Sequence, residues 1–374
     1  MKSAAPTPGR GTLSYFFPIQ FAILAAALSA VPQARGATPW IVVAKDKKSF
    51  VREPDGKEFT PWGFNYDHDA KGRLLEDYWE AEWAKVERDF RTMTKLGANV
   101  VRIHLQVGKF MESANQANDK ALARLAKLLS LAEAEGLYLD LTGLGCYHKK
   151  DVPAWYDRLA EKERWDVQAR FWAAVSKRCA NSPAVFCYDL MNEPAMPGGR
   201  VQTGDWLGPP LGDSTFVQFI SLDLAGRNRA AVASQWAGQL AAAIREHDKR
   251  HLVTIGFLAR GYLPDEVVSS LDFISVHLYP ETGNVDVTLK ALAGFYSLGK
   301  PVVIEETFPL KCSMAEFTQF ILGSKKHARG WIGFYWGQPP EELRLSNKIG
   351  DIMTLGWLEF FQAKGKATQE KPAK

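Results

Sequence analysis

The sequence predicts an α/β fold, a single (β/α)8 TIM barrel with a small N-terminal β-hairpin cap. Three observations lead there. Eight short apolar segments alternate with stretches of helical periodicity, polar and aromatic residues gather at the segments' carboxyl ends, and 374 residues suit one such barrel with a leader and a tail.

The elements follow in order. Trp40–Ala44, Ser49–Arg52 and Glu58–Thr60 read as short strands, two of them joined by the turn Pro54-Asp55-Gly56, and this hairpin is expected to plug the amino-terminal end of the barrel. The barrel strands are predicted at Pro61–Asn65, Asn99–Leu105, Leu137–Gly143, Ala184–Met191, His251–Phe257, Asp272–Tyr279, Pro301–Glu306 and Gly330–Trp336. Between the first two, Trp79, Trp83, Val86, Phe90 and Met93 recur at spacings of three and four and Gly97 stops the pattern, which is one helical stripe facing a sheet. Leu122, Leu125, Leu129 and Ala132 give a second stripe that ends at Gly136, and Ile352, Leu355 and Leu358 give the last. A doubly wound sheet would call for a glycine-rich phosphate loop after its first strand, where Gly63 stands alone, so nucleotide binding has no support. Between the fourth strand and the helix that begins near Asn228 lies a long connection rich in Gly and Pro, expected to form one wall of a cleft.

The formal charge of +4 is carried by the ends. Residues 1–37 hold +3 and residues 364–374 hold +3, leaving the body at −2. A near-neutral body has no electrostatic footprint for nucleic acid and suits a neutral polymer. Basic Lys2 and Arg10, an apolar run from Leu13 to Leu28 and small residues at Ala27–Ala30 make residues 1–37 a secretory signal, with cleavage expected between Ala30 and Ala37. An uncleaved anchor is the alternative, although Pro18 and Gln20 interrupt the run. The domain plan is therefore a signal at 1–37, a barrel at 38–363 and a flexible basic tail at 364–374, expected in a secreted or periplasmic monomer with no stable membrane association after cleavage. Cys146, Cys179, Cys187 and Cys312 allow three full pairings, none chosen by sequence, and Cys187 inside a predicted core strand reads as a plain buried thiol.

The predicted strand ends carry Asn65 and Tyr66, Arg102 and His104, Asn192 and Glu193, His277 and Tyr279, Glu306, and Trp336. Asn192-Glu193-Pro194 closes the fourth strand, and Glu305-Glu306 closes the seventh, 113 residues after Glu193. From about Trp40 to about Phe361 this set resembles glycoside hydrolase family 5, the cellulase- and mannanase-like retaining glycosidases. The resemblance implies Glu193 as general acid/base and Glu306 as nucleophile. It implies substrate-binding or supporting roles for Arg102, Asn192, His277, Tyr279 and Trp336, with Asn192 on the sugar 2-hydroxyl and Trp336 offering a flat face to the sugar at the cut. Asn65, His104 and Trp206 are further substrate-binding candidates, and His148 and Trp155 are weaker ones.

Two departures qualify the match. The third strand reads Leu139-Asp140-Leu141-Thr142 where many members carry a His, and Glu306 is followed by Thr307-Phe308 in place of Phe-Gly. Strand alternation sends Glu305 and Glu306 to opposite faces without saying which turns inward, and spacing from Pro301 in the family favours Glu306.

The chemistry explains the residue types. Retention needs two carboxyls roughly 5–5.5 Å apart, one to protonate the leaving oxygen and one to attack the sugar carbon. No cofactor or metal is called for, and His68 between Asp67 and Asp69 reads as a solvated loop histidine. The expected partner is a β-linked polysaccharide or oligosaccharide, β-mannan slightly ahead of β-glucan. The rival readings are a carbohydrate-binding barrel that has lost catalysis, against which both carboxylates argue, and a transglycosylase using the same covalent intermediate.

Overall fold

The computed structural model of the chain describes residues 38–369, apart from 70, 197–203, 259–264 and 335. The signal assigned to 1–37 lies outside the described residues. Eight parallel strands, Trp62–Tyr66, Val100–Gln106, Tyr138–Gly145, Val185–Asn192, Leu252–Leu258, Ile274–His277, Val302–Thr307 and Gly330–Gly333, close into a barrel in which the eighth pairs with the first. Each lies within a few residues of its predicted place.

Local chemistry accounts for the helices between them. Trp83–Lys95 buries Val86, Phe90 and Met93. Asp119–Glu135 starts at Asn118, whose side chain accepts from the backbone of Lys120 and Ala121, and ends at Gly136 with φ +71°. At the bottom of the barrel Trp40–Val43, Phe50–Glu53 and Glu58–Phe59 form a three-stranded antiparallel sheet. It inserts Ile41, Phe50 and Phe59 among Phe186, Phe273, Val303 and Ile332, so the expected plug is present.

Two expectations change. The last helix runs from Ile349 to Gln369, so residues 364–369 continue it, with Gly365 buried against the Trp62 ring, and do not form a tail. Its packing face is Trp357, Leu358 and Phe361, whereas Ile352, placed in the apolar stripe, is 56% exposed. Cys146, Cys179 and Cys187 are buried and all four cysteines are free thiols. Among the described residues no helix is long and apolar enough to cross a membrane.

Candidate active site

The fourth and seventh strands deliver the site, and both are irregular where they do so. Opposite the fifth strand, the step from Thr254 to Gly256 spans Asp189 to Asn192, one residue more. Opposite the sixth, the step from Val276 to His277 spans Ile304 to Glu306, again one residue more. Such bulges re-aim side chains. The alternation expected for Glu305 and Glu306 is thereby broken: both turn over the barrel axis, Glu306 into the cleft and Glu305 behind it. Glu193 sits at φ +46°, in the left-handed region unusual for a non-glycine residue, with its N–H donating to the Gly256 carbonyl at 2.9 Å.

Glu193 and Glu306 line a cavity of about 330 Å³. One carboxylate oxygen of each and a ring nitrogen of His277 lie within 4.8 Å of one another. Glu306 is held at both oxygens: Arg102 Nη1 donates to Oε1 at 2.6 Å and Tyr279 Oη donates to Oε2 at 2.7 Å. Burial and the Glu306 charge both push the Tyr279 hydroxyl well up, so it remains a donor. His277 Nδ1 lies 2.8 Å from Glu193 Oε1 and 3.5 Å from Glu306 Oε2, while Nε2 lies 3.3 Å from Glu305 Oε2. Burial alone would lower the His277 pKa, but the Glu306 charge and the hydrogen bonds His277 donates to Glu193 and Glu305 push it up to about 10, making the ring an imidazolium that donates on both sides.

Behind this pair lies a second acidic group, Asp140, Asp189 and Glu305, all fully buried, with oxygens within 4.8 Å of one another. Either trio has the donor set of a metal site, but in the second a guanidinium already supplies the positive charge. Arg102 Nη2 is 2.8 Å from Asp189 Oδ2 and 3.6 Å from Glu305 Oε2. Burial would raise Glu305, yet Arg102 and His277 hold it at about 2, whereas burial together with the Glu305 and Asp189 charges drives Asp140 well above the carboxylate range. Asp189 is raised by burial and by Glu305 to about 6; it accepts from Thr142 Oγ1 at 2.8 Å and from the Gly256 N–H at 2.8 Å. Gly256 is required by this crowding, since a Cβ there would come within 2.6 Å of Glu305 Oε2 and 2.8 Å of His277 Nε2.

The structure divides the sequence candidates. Glu193, Glu306, Asn192, Tyr279 and His104 line the cavity. His104 is neutral, pushed down to about 4 by burial and by Arg102, and is hydrogen-bonded through Nδ1 to Tyr147. Arg102, Asn65 and His277, expected to bind substrate, are buried away from the cavity surface. Arg102 is encircled by Glu306, Asp189, Asn192 and Asn65, and Asn65 donates through Nδ2 to the Glu305 carbonyl at 2.9 Å, so these two set the positions of other groups.

The two tryptophans are corrections. The eighth strand ends at Gly333, so Phe334 reaches the cavity and Trp336 is buried edge-on against Phe64 at 5.5 Å. Trp206 is 4% exposed, donates Nε1 to Asp157 at 3.0 Å and packs edge-on to Tyr156 with Trp155 nearby, anchoring the long connection. That connection does form a wall, through Leu211 and Phe216. Sequence reading missed Asp67, Tyr147, Phe216, Phe308 and Phe334 in the cavity; all but Phe216, which lies in the long connection, follow barrel-strand ends by one or two residues, which was the available signal. His68 pairs with Asp67 at 2.7 Å, and with His148 it lines an adjoining cavity of about 730 Å³ that shares Asp67, Tyr147 and Phe216 with the first.

Residues 54–321 match the model of the cellulase family, glycosyl hydrolase family 5. Mannan endo-1,4-beta-mannosidase A of Podospora anserina is 25% identical over 235 residues, covering 53% of this chain and 54% of the relative. The chain thus spans about half the length of the curated relatives it matches. Among solved structures, an exo-β-1,4-mannosidase from Opitutaceae bacterium strain TAV5 superposes with TM-score 0.64 at 16% identity, over 87% of this chain and 62% of that one. The endo-1,4-β-mannanase of Rhizomucor miehei superposes with TM-score 0.57 at 18% identity, over 87% and 99%. At these identities the structural matches establish the shared barrel.

Proposed function

The chain belongs to the cellulase family, glycosyl hydrolase family 5, and on that premise we propose that it hydrolyses a β-linked polysaccharide with retention of configuration, Glu306 serving as nucleophile and Glu193 as acid/base. The observation that carries this reading is the placement of the two carboxylates, with oxygens no more than 4.8 Å apart in one cavity. Both carboxylates thereby reach one bound sugar, the arrangement that double displacement needs.

In the first step Glu306 attacks the anomeric carbon while protonated Glu193 gives its proton to the departing glycosidic oxygen; the C–O bond to the leaving sugar breaks and an ester to Glu306 forms. Arg102 and Tyr279 donate to the two oxygens of the nucleophile and hold it in line until the ester forms. In the second step Glu193, now a carboxylate, takes a proton from water, whose oxygen attacks the same carbon and releases Glu306. His277 donates toward Glu193 and turns the carboxyl to the cleft. Asn192, held by Arg102 Nη2 at 3.0 Å and donating to the Phe216 carbonyl at 3.0 Å, is fixed for a hydrogen bond to the sugar 2-hydroxyl.

The mannan-directed names of the relatives put β-mannan first and β-glucan second. Export by the segment 1–37 belongs to the same proposal. The test is reducing-end release from β-mannan, linear and mixed β-glucan and xylan, with NMR of the first-formed anomer. A β-anomer from mannan is expected; an α-anomer first would exclude double displacement, and inactivity on every polymer would exclude the hydrolase.

A further inference from the structure

The cavity around the catalytic pair is chemically divided. Its floor is polar, but five of its walls are apolar: Leu211, Phe216, Phe308, Leu310 and Phe334. Leu211 and Leu310 stand at the mouth, 76% and 63% exposed. Single exposed leucines are ordinary on a protein surface. Two of them on separate loops, facing one catalytic cavity, form an apolar rim whose exposure to water is unfavourable until something covers it. Leucine offers a sugar neither a hydrogen bond nor a flat ring to stack upon. The adjoining larger cavity is more polar: alongside Leu74, Tyr147 and Phe216 it carries Asp67, His68, Arg73, Asp77, His148 and Asp213, which can meet a run of bare hydroxyls. The apolar wall is also tied to the acid/base, because Asn192, next to Glu193, holds the Phe216 carbonyl.

We infer that the cleft takes a β-glycan or glycoside carrying an apolar alkyl or acyl group at the sugar beside the cut, received by Leu211 and Leu310, with the hydroxyl-rich remainder in the adjoining cavity. The inference rests on Glu193 and Glu306 being the glycosidase pair. The apolar group has two sources, an acyl ester on the polymer or an alkyl aglycone, and the experiment separates them.

The full chain is assayed on acetylated mannan and on the same polymer after alkaline deacetylation. In parallel, Glu193→Gln is titrated calorimetrically with methyl, butyl and hexyl β-mannosides and β-glucosides, alone and combined with Leu211→Ser and Leu310→Ser, exposed positions whose change leaves the fold intact. The expected result is a gain in affinity of about two- to fourfold per added methylene, lost in the leucine variants, or a preference for the acetylated polymer of at least about threefold. The preference identifies the ester as the source, and the chain-length slope alone identifies the aglycone. A flat series with no preference for the acetylated polymer overturns the inference, as does a slope that survives both leucine changes. Cleavage of deacetylated mannan alongside a flat series would leave the hydrolase reading standing, whereas a slope without cleavage of any polymer would remove the reaction and keep the apolar site.

Discussion

Glu305 and Glu306 are neighbours on one strand, yet they belong to two different regions. Glu306, 7% exposed, lines the cleft with Glu193; Glu305, fully buried, joins Asp140 and Asp189 behind it. Arg102 touches both regions, with one guanidinium nitrogen on Glu306 and the other on Asp189, and His277 spans from Glu193 to Glu305. Access, more than residue type, divides the work between the two regions. The outer carboxylates can meet substrate, while the inner ones fix the charge and orientation of the groups that hold them. Buried charge of this kind persists only when paired.

The largest effect should fall on the outer region. Glu306→Ala is expected to lower kcat/KM by more than about 10⁴-fold with the circular dichroism spectrum unchanged, and Glu193→Ala by about 10²–10⁴-fold, the deficit shrinking for substrates with good leaving groups. Equal losses on all leaving groups would remove Glu193 from the acid role. Next in size is the link between the regions. Arg102→Met strands the Asp189 and Glu305 charges and should cost about 3–5 kcal/mol in urea unfolding; a loss of activity with full stability would show that the inner acids do not depend on it.

The inner region should respond mainly through pH. His277 is raised from 6.5 to about 10, so the folded state holds a proton that the unfolded chain releases above pH 6.5. This stabilisation is complete below pH 6.5 and is lost as pH rises through 10, a fall of about 1.4 kcal/mol per pH unit for one proton. Glu305→Gln withdraws a carboxylate hydrogen bond that raises His277, so the fall should still begin near pH 6.5 but end below pH 10 and be smaller in total, with a further loss of about 1–3 kcal/mol at neutral pH. An unchanged pH profile of unfolding would break the connection between Glu305 and His277. Smallest is Asp140→Asn, expected to change stability by no more than about 1 kcal/mol because Asp140 is already neutral beside Glu305.

Much of this could be read from the residues. The eight apolar segments located the barrel strands, and Asn192-Glu193-Pro194 with Glu305-Glu306 located the two strand ends whose carboxylates line one cavity. What escaped was set by local irregularity and tertiary packing. Alternation could not place Glu305 and Glu306 because a bulge opposite His277 brings both over the axis. Gly333-Phe334-Tyr335-Trp336 offers aromatics in a row, and the early end of the strand at Gly333 puts Phe334 in the cavity and Trp336 against Phe64. Trp206 was named for its place in a functional loop, but its hydrogen bond to Asp157 makes it the loop's anchor. The roles of Arg102, Asn65 and His277 depended on contacts spanning up to 240 residues of sequence, which no local pattern encodes.

The central claim is that Glu306, and not its buried neighbour, forms a covalent bond to the sugar. The most direct measurement is to trap the intermediate with an activated 2-deoxy-2-fluoro-β-mannoside, with the glucoside in parallel, and to map the labelled peptide by mass spectrometry. A single glycosyl ester on Glu306, absent from Glu306→Ala, is the expected result; an ester on Glu305, or turnover of the reagent with no covalent species, would contradict it.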